Sequence, residues 1–128
     1  MNGETTCDVL VVDDELDTCM LARKILELEN FSVLTAINGE EALQLVQEQG
    51  IIPRVILLDL LLPPSGGFTV LETLKGDERF QSIKIIIFTA KNLSADIERA
   101  KELGADGYIT KPFSGEGLVR KIREKMEE

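Results

Sequence analysis

Four apolar runs in this sequence each end on a residue able to do chemistry. Val9-Leu10-Val11-Val12 runs into Asp13-Asp14, Val55-Ile56-Leu57-Leu58 into Asp59, Ile85-Ile86-Ile87-Phe88 into Thr89, and Tyr108-Ile109-Thr110 into Lys111. Three carboxylates brought to one place would repel one another unless a cation neutralised them. Carboxylate, carbonyl and water oxygens suit magnesium, which keeps several of its waters. A hydroxyl and an ammonium are the groups that grip phosphate oxygens. If the run ends meet, the set can hold a divalent cation and a phosphoryl group together. Each residue also has a plainer use. Asp13-Asp14 can start a helix, Asp59 can shape a turn, Thr89 can finish a strand, and Lys111 can be a solvated lysine before a proline. Only a shared location favours the chemical reading.

The elements that would position these groups alternate regularly. Short β-branched runs separated by helix-length segments read as buried parallel strands, and open α/β sheets bind ligands outside the carboxyl ends of their strands. The first strand is expected over Asp8 to Val12 and the first helix over Leu16 to Glu29, with Leu21, Ile25 and Leu28 on one face and Asn30 closing it. Ser32 to Ala36 forms the second strand. Asn38 then caps a helix carrying Ala42, Leu43 and Val46, which Gly50 and Pro53 end. Pro63-Pro64-Ser65-Gly66-Gly67 breaks the chain just beyond Asp59, ahead of a helix with Val70, Leu71 and Leu74. Lys91-Asn92-Leu93-Ser94 leads into a helix from Ala95 to Leu103, stopped by Gly104. After Lys111-Pro112 comes an amphipathic helix with Leu118, Val119, Ile122 and Met126. Five β-then-α units make one doubly wound (βα)5 α/β sandwich over residues 1–128, with right-handed crossovers placing helices on both faces.

Composition narrows the function classes. With 14 Lys+Arg against 23 Asp+Glu the net charge is −9, which argues against direct contact with nucleic acid or anionic lipid. The basic stretch Arg120 to Lys125 reads as a solvated helix face. No apolar stretch approaches the ~20 residues of a membrane span, and Met1-Asn2-Gly3-Glu4 is no signal peptide, so a cytoplasmic location is expected. Cys7 and Cys19 form no CxxC pair, as suits a reducing compartment, and the absence of histidine rules out histidine catalysis or ligation.

Val11-Val12-Asp13-Asp14-Glu15, Leu57-Leu58-Asp59 with Pro63 and Gly67 following, Phe88-Thr89-Ala90, Gly104-Ala105-Asp106-Gly107-Tyr108 and Lys111-Pro112-Phe113 occur in this order, each at a run end. Together they resemble the receiver domain of bacterial two-component response regulators, including the small chemotaxis-type receivers, over essentially the whole chain. The resemblance implies a flavodoxin-like five-stranded parallel sheet in order 2-1-3-4-5. It implies that Asp59 accepts a phosphoryl group from a phosphohistidine on a histidine kinase or phosphotransfer protein. The chain would then be a signalling receiver, not an enzyme, apart from its own phosphorylation and slow autodephosphorylation, and would be read by an unspecified output protein or domain. It implies magnesium, or manganese in its place, held by Asp14, Asp59 and the Leu61 backbone carbonyl, with Asp13 acting through water. Thr89, Lys111 and Ala90 would contact the phosphoryl group, Thr89 and Tyr108 would form the switch, and the Lys111-Pro112 peptide would be cis. X-Pro is the linkage at which a cis bond costs little.

Two positions depart from the family pattern. Gly66 stands where an acid is common, and Leu62 replaces the common methionine. A small phosphatase working through an aspartyl intermediate is the competing enzyme reading. Leu61 leaves it no second acid two residues after Asp59, and no insertion provides a lid. A nucleotide- or flavin-binding module would need a Gly-rich loop after the first strand, where Asp13-Asp14-Glu15 stands instead.

Overall fold

The computed structural model describes residues 5–62, 66–89 and 94–128 and turns each apolar run into a strand. β1 (Thr5–Val12), β2 (Val33–Ala36), β3 (Ile51–Leu58), β4 (Lys84–Thr89) and β5 (Gly107–Thr110) form one parallel sheet in order 2-1-3-4-5. Between them lie α1 (Leu16–Glu27), α2 (Gly39–Leu43, continued by a π-helical turn over Gln44–Glu48), α3 (Gly67–Lys75) and α4 (Ser94–Glu102). The last helix is α5 (Gly115–Met126). Pro63, Pro64, Ser65, Ala90, Lys91, Asn92 and Leu93 lie outside the described residues.

The two-residue period of the strands sends alternate side chains into separate cores. Leu10, Val12, Ile56, Leu58, Ile85 and Ile87 pack with Ala42, Val46, Val70, Leu71, Leu74 and Ala100, from α2, α3 and α4. Val9, Val11, Val55, Leu57, Ile86 and Phe88 pack with Cys19, Ala22, Leu26, Leu118 and Ile122, from α1 and α5. Burial on both faces explains why β1 and β3 read as continuous apolar runs. Asn38 caps α2 by accepting the Glu41 N–H at 2.7 Å, and Asn30, with φ 68°, takes the left-handed conformation just beyond α1.

Three local expectations are corrected. α1 buries Cys19, Ala22 and Leu26, not the face through Leu21 and Leu28, which are 53% and 74% exposed. Small side chains at positions 19 and 22 let the helix lie close to the sheet, so size decided the face where hydrophobicity pointed elsewhere. Pro53 does not end the second helix but lies within β3 opposite Cys7. Pairing of β3 with β4 begins only at Val55, so Pro53 has a neighbour on one side and its missing N–H breaks no two-sided ladder. β1 and β3 accordingly begin further upstream, paired from Thr5 and Ile51.

Both cysteines are free and buried. Burial first, then the charges of Asp8 and Asp13 respectively, pushes Cys7 and Cys19 up to about 11. They keep their protons at neutral pH.

The corrected α1 face gives a direct test by urea unfolding. Leu26→Ala should cost about 2–5 kcal/mol, as a fully buried leucine truncated to alanine does, whereas Leu21→Ser should stay within about 0.5 kcal/mol of wild type.

Candidate functional site

Register brings the acids together. Val12 pairs with Leu58, so Asp13 and Asp59 leave the sheet side by side, and the Asp59 N–H donates to the Val12 carbonyl at 3.1 Å. Asp13 is fully buried and Asp59 is 5% exposed, while Asp14 is exposed. One carboxylate oxygen from each of Asp13, Asp14 and Asp59 lies within 4.8 Å of the others. Asp13 does not cap α1. Its Oδ1 accepts the Glu15 N–H at 2.9 Å, and Glu15 occupies the cap position without a side-chain hydrogen bond.

Lys111 reaches into this cluster from beyond β5. Its ammonium pairs with Asp13 Oδ2, lies 3.3 Å from Asp59 Oδ2 and 3.9 Å from Glu15 Oε1, and stands 4.8 Å from the centre of the Phe88 ring. The Lys111-Pro112 peptide is cis, and the Lys111 N–H donates to the Thr89 carbonyl at 2.7 Å. The ends of β4 and β5 are therefore tied directly together. Thr89 is fully buried, and its Oγ1 has no hydrogen-bond partner among the described residues. A buried hydroxyl without a partner is uncommon and signals a group awaiting an acceptor. Tyr108 is 43% exposed, with the Lys101 ammonium 5.5 Å from its ring centre.

The α3 side is shaped by glycine. Gly66 has φ 77°, a conformation that disfavours any side chain, and a Cβ on Gly67 would overlap the Asp59 carbonyl. The Leu61 N–H donates to Asp59 Oδ1 at 2.9 Å. Glycine at position 66, a departure at the level of sequence, thus suits the backbone adopted there.

Burial raises the affinity of Asp59 for a proton, against the lowering effects of the Leu61 N–H and the Lys111 charge, and the Asp13 charge raises it further. For Lys111, burial alone would lower the value. The hydrogen bond to Asp13 and the Asp59 and Asp13 charges outweigh it and hold the ammonium above its ordinary range. Among the described residues the arrangement is an electron-rich cradle with one internal counterion, the Lys111 ammonium. Its all-oxygen donor set, with Asp14 solvent-facing, fits a hard divalent cation.

An open parallel sheet in order 2-1-3-4-5 with two buried carboxylates, a lysine and a buried hydroxyl at its carboxyl rim is the arrangement of the receiver class of α/β proteins. The chain belongs to the response regulator receiver domain family, whose model matches residues 9–123. It is 36% identical over 115 residues to the transcriptional regulatory protein CpxR of Escherichia coli, covering 90% of this chain and 47% of CpxR. It is 35% identical over 118 residues to the DNA-binding response regulator MtrA of Mycolicibacterium paratuberculosis, covering 92% of this chain and 50% of MtrA. The chain spans about half the length of these curated relatives. The crystal structure of a CheY-like response regulator receiver domain protein from Methanospirillum hungatei superposes with a TM-score of 0.86 at 27% identity, covering 97% of this chain and 94% of that one.

The raised proton affinity of Asp59 fixes the sign of a pH effect. The folded state binds this proton more tightly than the unfolded state. Stability therefore falls as pH rises from the ordinary carboxylate range through the raised folded value. Lys111 acts at the other end, with stability present below the ordinary lysine range and lost as pH rises through its raised value. In metal-free protein at pH 7, Asp59→Asn should raise the urea midpoint and flatten its decline as pH rises above the ordinary carboxylate range. Lys111 keeps Asp13 in that variant. An unchanged pH profile would show that Asp59 is not strained by its charge.

Proposed function

We propose that this domain takes a phosphoryl group onto Asp59 from a phosphohistidine of a histidine kinase or histidine phosphotransfer protein. The observation that supports this most is the placing of Asp59 and Asp13 around the single Lys111 ammonium. An Asp59 carboxylate oxygen attacks phosphorus, the P–N bond breaks, and its electron pair leaves with the imidazole nitrogen. Lys111, already within reach of Asp59, transfers its contacts to the incoming phosphoryl oxygens.

Asp14, Asp59 and the Leu61 carbonyl would hold magnesium or manganese, with Asp13 acting through water. That division suits Asp13, whose two oxygens already accept from Glu15 and Lys111. Asp14, by contrast, makes no hydrogen bond among the described residues. When bound, the cation supplies neutralisation of charge on the transferred group. Thr89 and Ala90 complete the phosphate contacts, Ala90 lying outside the described residues.

The domain extends over residues 1–128 as a single receiver and acts as a switch, turning over nothing but its own phosphoryl group. Leu16, Met20, Ile37 and Leu61 are exposed apolar side chains on segments that leave or adjoin the acidic rim, and they offer a donor protein a surface. Among the described residues no helix is long and apolar enough to cross a membrane. We assign the domain to the cytoplasm and, with its net charge of −9, no direct contact with nucleic acid. Any such contact would fall to an output protein or domain.

Phosphorylation becomes a surface change through Thr89. A dianion at Asp59 gives the buried hydroxyl an acceptor, which it lacks among the described residues, pulls the β4 end toward the rim and lets Tyr108 turn inward, remodelling the α4, β5 and α5 face.

Two measurements test these steps. Intact-mass analysis after treatment with acetyl phosphate and magnesium should show one added phosphoryl group on wild type and none on Asp59→Asn; equal uptake would end the assignment. With a beryllium fluoride mimic bound, Thr89→Ala should lose most of the NMR shift changes over Ser94 to Leu103 and at Tyr108. Full-sized changes would show that Thr89 is not the coupling residue.

A further inference from the structure

Three polar groups of Asp13 have hydrogen-bond partners: its N–H donates to the Ala36 carbonyl at 3.1 Å, Oδ1 accepts from Glu15, and Oδ2 accepts from Lys111. The fourth, its carbonyl oxygen, accepts the Cys19 thiol at 3.3 Å. Cys19 lies in the first turns of α1, where its own N–H donates to the Glu15 carbonyl at 3.1 Å. Its side chain is 2% exposed and packs in the core shared with Val11, Ala22 and Phe88. The thiol therefore extends from a rigid helix to the peptide joining Asp13 to Asp14.

That peptide is the lever on Asp14. A peptide unit is planar, so fixing the Asp13 carbonyl also fixes the direction of the Asp14 N–H and places the Asp14 Cα. The Asp14 carboxylate is exposed and makes no hydrogen bond among the described residues. Its approach to within 4.8 Å of Asp13 and Asp59 is thus governed by the backbone that carries it.

We propose that Cys19 is a positioning residue for the cation site, its S–H···O=C bond holding the Asp13-Asp14 peptide so that Asp14 faces Asp13 and Asp59. The inference rests on the cation reading given above. The thiol touches neither the cation nor the phosphoryl group. Without it, the carbonyl of a fully buried residue is left without a donor, and the peptide turns toward whatever donor or water it can reach. Cation binding must then reverse that turn, and apparent affinity falls with the fraction of molecules that are competent to bind.

The donor and the volume can be separated by substitution. Cys19→Ser keeps a donor, Cys19→Val keeps bulk without one, and Cys19→Ala keeps neither. Magnesium binding is measured by calorimetry on wild type and all three variants, with the Asp14 amide followed by NMR. Cys19→Val and Cys19→Ala should weaken binding about threefold, the scale of one weak S–H hydrogen bond, and move the metal-free Asp14 amide signal. Cys19→Ser should remain within about twofold of wild type by the same scale. If wild type binds magnesium and Cys19→Val or Cys19→Ala binds it equally well, the positioning role falls while the cation reading stands. If serine and valine weaken binding alike, side-chain shape and not the donor is responsible, and the role falls as well. If wild type binds no magnesium, the cation reading fails and takes this inference with it.

Discussion

Asp13 and Asp59 are held next to each other by the pairing of the strands that precede them, and the Lys111 ammonium lies between them. Two unit charges about 5 Å apart in a partly buried site repel by roughly 3 kcal/mol at an effective dielectric near 20. An exposed ion pair returns at most ~1 kcal/mol, so surface charges could not compensate. The site accordingly has its counterion inside, and the lysine is brought there from the far end of the sheet's edge strand. Much else follows from keeping that group of charges intact. Gly67 gives α3 room to lie against the Asp59 carbonyl, Phe88 lies beneath the ammonium, and the Lys111 N–H binds the Thr89 carbonyl.

The same arrangement suits the proposed switch. A lysine shared by two carboxylates can give up one contact without becoming an orphan, and the Thr89 hydroxyl, without a partner among the described residues, has a contact to gain. Because the Lys111 N–H donates to the Thr89 carbonyl, the proposed change in what the ammonium holds would reach the end of β4 without an intervening side chain. In the proposed switch, that backbone bond between two neighbouring strands would carry the coupling from the acids toward the Tyr108 edge.

Much of this was legible in the sequence because the sheet is buried on both sides. Continuous aliphatic runs mark such strands, and the first polar residue after each run must lie at the rim. The positions of Asp13, Asp59, Thr89 and Lys111 could therefore be placed relative to one another before any coordinates. The α1 face was not legible, since Leu21 and Leu28 outweigh Ala22 on any hydrophobicity scale, although the small residue is the one that fits against the sheet. Pro53 misled because proline usually marks a break, and its tolerance depends on where β4 starts to pair. The Cys19 donor gave no signal in the sequence. A thiol in a helix looks like a small hydrophobe until the carbonyl it faces is known.

The two cores described above are separated by the sheet, with α1 and α5 on one side and α2, α3 and α4 on the other. Side chains on opposite sides do not share volume, and substitutions that share no contacts tend to combine additively. The proposed output face draws α4 from one side and α5 from the other, so a change of listener would touch both cores. The two sides are joined through the strand backbones, whose alternate residues line one core and then the other.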